Sequence, residues 1–251
     1  MTEKIATRLY LPAALAEGGT VALVAAQVHR LRHVLRLGLG APVAGFNAND
    51  GEFLCRVTEL GRSGGGLAVE RRLRAPEAET DLWLLFAPIK RLRLDWLIEK
   101  GTEFGVAAFV PVMTVRTQPE RINPERLFAH GVAAAEQSER LSAPELRPAA
   151  PLSAVLAAWP AERRLILCDE TGGGAPIAAA LADFPAGKPA ALLIGPEGGF
   201  AETELDALRK LPFVTAVGLG PRVLRTETAA LAALAAFQAI AGDWRGARTR
   251  R

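Results

Sequence analysis

Cysteine is nearly absent from this chain. Cys55 and Cys168 are the only two in 251 residues, far apart and outside any Cys-x-x-Cys pair, which excludes a disulfide framework and points to a reducing compartment. Histidine is almost as scarce. His29 and His33 stand four apart, a spacing that shares one helix face, but no Glu fills the metalloprotease position between them, and with His130 as the remaining histidine no metal site is expected. Long apolar runs are missing too. Ala229 to Ala241 falls short of the roughly 20 residues a bilayer span needs, and the amino terminus has no basic stretch followed by an uninterrupted apolar segment. A soluble, cytoplasmic protein without membrane contact is expected.

Three common catalytic motifs are also absent. Gly187-Lys188 runs into Pro189 without the upstream glycine of a P-loop, and Gly218-Leu219-Gly220-Pro221-Arg222-Val223 holds just the first two glycines of a dinucleotide fingerprint. No serine lies in a Gly-x-Ser-x-Gly elbow. No internal repeat of solenoid period is present.

What the chain does have is apolar bulk: half its residues are hydrophobic, ample for the core of one large domain or two. Net charge is only +3, yet arginines cluster at His29 to Arg36, Lys90 to Arg93 and Arg245 to Arg251. Phosphate attraction is local, so clustering matters more than the total, although any one cluster also fits a solvated helix face or a frayed tail. Together they favour a nucleic-acid partner.

Two rhythms divide the sequence. Up to about residue 75, short strand-like runs (Thr20 to Val24, Pro42 to Phe46, Glu52 to Val57) are broken by turns, with Asn47 to Gly51 a hairpin signal. Gly64-Gly65-Gly66 reads as a flexible hairpin tip, and Ala26 to Leu37 has the apolar spacing of a basic helix. After a linker at 74–79, strand and helix candidates alternate: Leu82 to Ala87, Leu92 to Phe104, Val106 to Val112, Pro124 to Leu141 (capped by Asn123), Arg164 to Cys168, Ala190 to Ile194, Glu202 to Leu211, Phe213 to Val217 and Thr228 to Ile240. Alternation of this kind implies an α/β fold with a mostly parallel sheet.

Two glycine-bearing turns follow adjacent strands near the carboxyl end, Gly195 to Phe200 and Gly218 to Arg225, and Asp169-Glu170-Thr171 with three glycines makes a third. Turns leaving the carboxyl ends of parallel strands are where ligands bind, and glycine lets bare backbone approach them. A small-molecule pocket built largely of main chain is expected.

Gly195-Pro196-Glu197-Gly198-Gly199 followed by Leu219-Gly220-Pro221-Arg222-Val223-Leu224-Arg225-Thr226-Glu227-Thr228-Ala229 closely resembles the cofactor loops of the SPOUT class of RNA methyltransferases. Further matches resemble one branch, the 16S rRNA uridine N3-methyltransferases. They are His33-Val34-Leu35-Arg36, Lys90, Trp96 to Lys100, Glu103-Phe104-Gly105-Val106, and Glu136-Gln137-Ser138-Glu139-Arg140 before Pro144. Phe104 and Val223 depart mildly from the usual Leu and Ile, and Ala41 stands where an acid commonly follows the glycine.

The resemblance implies a PUA-like β-barrel over residues 1–74 for RNA, then a SPOUT α/β domain over 75–251 whose carboxyl-terminal segment forms a trefoil knot. Composition does not show a knot, and the general rarity of knots favours an ordinary doubly wound sheet. It further implies S-adenosylmethionine as cofactor and 16S rRNA or the small ribosomal subunit as substrate. A homodimer is implied as well, although the apolar final helix is as readily explained by core burial. Motif matching assigns Ile194, Gly195, Gly198, Leu219, Gly220, Leu224 and Thr228 to the cofactor, with the glycines excluding a Cβ from adenosine's space.

By the same matching Arg225 is the catalytic or substrate-orienting residue. Glu197 and Glu227 are candidate bases, or alternatively loop and helix-dipole partners. Arg30, Arg32, Arg36, Lys90, Arg91 and Arg93 are expected to hold phosphates, while Glu136, Gln137 and Arg140 receive no chemical role. Two rivals stand beside this reading: ribose 2′-O methylation with the same loops, and a non-catalytic ribosome-assembly factor.

Overall fold

Packing divides the chain into two units, Met1–Ala78 with Ala135–Ala143, and Glu79–Ala134 with Pro144–Arg251. The computed structural model describes residues 4–62, 64–118, 122–185 and 187–246, so most of the arginine-rich carboxyl terminus lies outside the described residues.

The first unit is built on five strands, β1 (Arg8–Tyr10), β2 (Thr20–Val24), β3 (Pro42–Asn47), β4 (Gly51–Leu60) and β5 (Gly64–Arg74), in the order β1-β3-β4-β5-β2. All pairs are antiparallel except β1 with β3. Three register shifts interrupt the long β4–β5 pair, and such irregularities bend and twist a sheet so that it curls over its own apolar face. That face carries Leu9, Val21, Leu23, Val43, Phe53 and Leu67.

Asn47 sets the β3–β4 hairpin. Its Oδ1 accepts the backbone N–H of Asn49 (3.0 Å) and Asp50 (2.7 Å), its Nδ2 donates to Asp50, and Gly51 follows at φ +88°.

Two expectations need correction here. Gly64, Gly65 and Gly66 are not a flexible tip but the first residues of β5, all paired with β2, and Gly65 and Gly66 with β4 as well. A Cβ on Gly65 would stand 2.4 Å from the Glu59 carbonyl oxygen, so glycine is there for close backbone approach. The basic helix is also shorter than its spacing suggests. α1 spans Ala25–His29 and then rewinds as a π-helical turn over Arg30–Val34, with Leu35 N–H donating to Arg30 at 2.9 Å and Arg36 ending it at φ +56°. The rings of His29 and His33 lie 5.1 Å apart, and no metal-binding cluster forms among the described residues.

The second unit is an all-parallel sheet. Its strands are β6 (Leu82–Phe86), β7 (Ala108–Met113), β8 (Glu145–Leu146), β9 (Ala150–Pro151), β10 (Arg164–Cys168), β11 (Ala175–Pro176), β12 (Ala190–Ile194) and β13 (Val214–Gly218). They run in the order β11-β13-β10-β12-β6-β7-β8, with β9 on β7. The helices between them are α2 (Arg91–Glu103), α3 (Pro124–Gln137), α4 (Leu152–Ala157), α5 (Ile177–Leu181), α6 (Glu202–Arg209) and α7 (Thr226–Ile240).

Side chains alternate across a strand, and both faces here are covered. Leu84, Ile166 and Leu192 pack with Leu97 of α2 and Phe237 of α7, while Leu85, Leu167 and Leu193 pack with Leu205 and Leu208 of α6. This is why β6, β10 and β12 read as continuous apolar runs. Of α7, Ala230, Ala233, Leu234 and Phe237 are buried within this core, as the burial reading of the final helix anticipated. No helix of the described residues is long and apolar enough to cross a membrane.

α3 stops at Gln137, short of the expected Leu141, and Glu139 then turns at φ +63°. Its last turn belongs to the first unit. Arg8 donates to the carbonyls of Ala135 (3.0 Å), Glu136 (2.9 Å) and Arg140 (2.7 Å), and pairs with Glu52 at 2.6 Å. Glu136 in turn accepts the Tyr10 N–H at 3.1 Å and pairs with Arg30. The Glu136–Arg140 motif thus has a packing role, a helix end satisfied by a buried guanidinium.

Candidate active site

In a parallel sheet all carboxyl ends lie on one side, so the turns after β10, β12 and β13 are brought together without further device. They enclose a cavity of about 730 Å³ walled by 169–172, 194–197 and 218–226, with Lys90 and Arg93 from the start of α2. α2 and α7 both begin at this cavity, and helix amino termini favour negative charge.

Each turn is held in place by a different bond. After β12, Gly199 N–H donates to Pro196 O at 2.9 Å, and the Phe200 N–H donates to Glu170 Oε1 at 2.8 Å, tying this turn to the one after β10. After β13, the turn closes when Thr226, the buried first residue of α7, donates its hydroxyl to Gly195 O at 3.2 Å. After β10, the fully buried Asp169 carboxylate accepts the Thr171 hydroxyl at 2.6 Å and the Arg209 Nε–H at 3.1 Å. Burial pushes the Asp169 carboxyl up, but the bonds from Thr171 and Arg209 outweigh it and hold the group below the usual carboxylate range. It stays charged at neutral pH. Cys168, on the wall, is pushed up to about 12 by burial and by the nearby Glu170 charge.

Residues 76–238 match a family described as an RNA methyltransferase domain. Along nearly the whole chain the sequence is 30% identical to a ribosomal RNA small subunit methyltransferase E from Rickettsia conorii, covering 91% of this chain and 93% of that one. The chain belongs to the ribosomal RNA small subunit methyltransferase E family. A Bacillus subtilis protein of the same name is 28% identical over 88% of this chain and 90% of its own. Among solved structures, a family member from Neisseria gonorrhoeae bound to S-adenosyl methionine is 29% identical with a TM-score of 0.80, covering 95% of this chain and 99% of that one. A Legionella pneumophila structure in complex with SAM gives 0.81 at 29% identity, with coverage of 96% and 100%.

Within this family member's cavity wall stand Ile194, Gly195, Leu219, Gly220 and Leu224, together with Arg225, Glu197, Lys90 and Arg93. Gly198 and Thr228 are not on the wall: Gly198 abuts Arg116, and Thr228 is exposed on α7. Glu227 is off the wall as well, its side chain 12% exposed with Oε2 buried and without a hydrogen-bond partner among the described residues. Arg225, the exposed residue preceding α7, engages no carboxylate among the described residues. Arg93 does, pairing with Glu197 at 2.6 Å and Glu227 at 3.5 Å. Arg91 is exposed beside it.

Arg30, Arg32 and Arg36 belong to the first unit. Arg30 is paired with Glu136, Arg32 donates weakly to Leu60 O at 3.4 Å, and Arg36 is exposed. The turn after β10 is the part of the cavity wall that sequence reasoning left without assigned residues. Asp169 to Gly172 line the cavity, and three successive glycines after a strand were the available signal.

Proposed function

We propose that this chain transfers a methyl group from S-adenosylmethionine to N3 of a uridine in 16S ribosomal RNA of the small subunit. The observation that carries the reading is one cavity shared by the turns after β10, β12 and β13, of a size that suits a cofactor. The residues present fit such a ligand: Gly220 faces open space at φ +105°, and Ile194, Leu219 and Leu224 offer apolar wall beside main-chain donors. Ile194, Gly195, Leu219, Gly220 and Leu224 would hold the cofactor, and Gly198 and Thr228 would shape the turns around it.

S-adenosylmethionine supplies an activated methyl on a sulfonium. The chain must then deprotonate the uridine and steady the anion, since N3 is a poor nucleophile while it carries its proton. As the N3–C bond forms, the C–S bond breaks and its electron pair stays on sulfur; the N3 proton passes to a base or an oriented water. Arg225, exposed on the cavity wall and paired with no carboxylate among the described residues, would stabilise charge developing on O2 or O4. Glu197, on the wall, and Glu227, on the adjoining first turn of α7, are the candidates to accept or relay the proton.

Residues 1–74 are proposed as a PUA-like barrel that serves as the RNA platform and 75–251 as the SPOUT domain. The curled five-stranded sheet and the exposed Arg32 and Arg36 support the first assignment. A trefoil knot is proposed for the carboxyl-terminal segment, supported by β12 lying between β6 and β10 and by the Thr226–Gly195 bond. A homodimer is proposed from the exposed Leu92 and Trp96, four apart on α2.

The deciding assay is methyl transfer from labelled cofactor to small subunits lacking the modification, with digestion to nucleosides. Label in 3-methyluridine is expected; label in a 2′-O-methyl ribose, or none, overturns the reading. An Arg32→Ala/Arg36→Ala double variant should weaken RNA binding and flatten its salt dependence while cofactor affinity holds.

A further inference from the structure

The Lys90–Arg93 cluster was expected to grip RNA phosphates, but Arg93 is already paired with two carboxylates. Its guanidinium lies 2.6 Å from Glu197 through Nη1 and 3.5 Å from Glu227 through Nε. Glu197 belongs to the turn after β12, and Glu227 to the first turn of α7, which the chain enters directly from the turn after β13. One side chain from α2 therefore reaches the turn after β12 and the start of α7, two of the elements beside the cavity. Its charge is already engaged by two carboxylates, which leaves less of it for a phosphate.

The two acids are also unlike. Glu197 is 45% exposed and is solvated without help, whereas Glu227 is 12% exposed and its Oε2 is buried with no partner among the described residues. A buried carboxylate in that state depends on a nearby cation. Arg93 is the cation that pairs with it. The planar fork of Arg presents separate N–H groups to the two acids, Nη1 to Glu197 and Nε to Glu227.

We infer that Arg93 is a positioning residue that clamps the turns after β12 and β13 at the spacing the cofactor requires, rather than a contact to RNA. The inference rests on the proposed cofactor reading and refines which residues serve it.

The test is a double-mutant cycle on the full chain, with S-adenosylmethionine affinity measured by calorimetry for wild type, Arg93→Gln, Glu197→Gln and the pair. Arg93→Gln is expected to weaken the cofactor about fivefold to tenfold. The double variant should be no worse than Arg93→Gln alone, because both changes open the same clamp. Additive losses, or unchanged affinity in Arg93→Gln, overturn the inference. So does a fall of about one in the salt slope of 16S RNA binding by Arg93→Gln, which is the signature of a lost phosphate contact. Should Arg93→Gln fail to fold, Arg93→Lys carries the same cycle, since the ammonium keeps the charge but loses the planar fork. Failure of the wild type to bind S-adenosylmethionine would instead sink the underlying reading, so the two failures are distinguishable.

Discussion

At Gly220 the backbone turns through φ +105° with no atom within 4 Å of where a Cβ would stand, whereas a Cβ on Gly195 would meet the Phe200 ring at 2.8 Å and one on Gly199 the Glu170 carboxylate at 2.4 Å. Of the glycines assigned to the cofactor, Gly195 has a further reason to lack a Cβ, and Gly199 nearby has one of its own. Gly195 yields to a core aromatic, Gly199 to a carboxylate that anchors the turn, and Gly220 to its own left-handed backbone. Gly220→Val should therefore distort the turn at a cost of about 1–3 kcal/mol, abolishing cofactor binding by calorimetry while far-ultraviolet circular dichroism is unchanged. Retained affinity would exclude the turn from the pocket. At Cys168 the chemistry is one of inertness. A thiol pushed up to about 12 carries almost no thiolate at pH 8, so Cys168 should resist Ellman's reagent in the native protein and react once guanidinium unfolds it. Rapid labelling of the folded chain would contradict the burial.

Elements whose two faces are both covered were the easiest to read. Arg164–Cys168 and Ala190–Ile194 appear at their expected bounds because continuous apolar runs of that length have one natural use in an alternating α/β chain. The rewinding at Arg30 was illegible because Val28, Leu31, Val34 and Leu35 have the spacing of one continuous helix, whereas Val34 and Leu35 are exposed. Strands of two residues, such as Glu145–Leu146 and Ala175–Pro176, are too short to carry a period at all. The site was legible where glycine marks a turn, and illegible where it depends on partners far along the chain. Glu170 meets Phe200 across 30 residues, and Arg93 meets Glu197 across 104. Asn47 shows the opposite case, a local signal with a local partner. Asn47→Ala removes a buried side chain bonded to Leu11, Ala13, Asn49 and Asp50, and should cost roughly 2 kcal/mol, lowering the melting temperature by about 5 °C. An unchanged melt would show that the hairpin does not need it.

Across the whole molecule, the pairing of β6 with β12 joins Leu82 to Ala190, so the centre of the sheet cannot form until most of the second unit is in reach. Non-local parallel pairing of this kind folds slowly. Refolding from urea, followed by tryptophan fluorescence, should take on the order of seconds or longer, and completion within milliseconds would contradict the topology.

β12 has a neighbour on each edge and helices over each face, and its last residue, Ile194, is part of the cavity wall. Its amide protons can exchange with deuterium only when the unit opens as a whole, whereas those of the glycine turns beyond it need a local opening alone. The pocket is thus a slow floor beneath a fast rim, and a ligand settling there gains its protection at the rim.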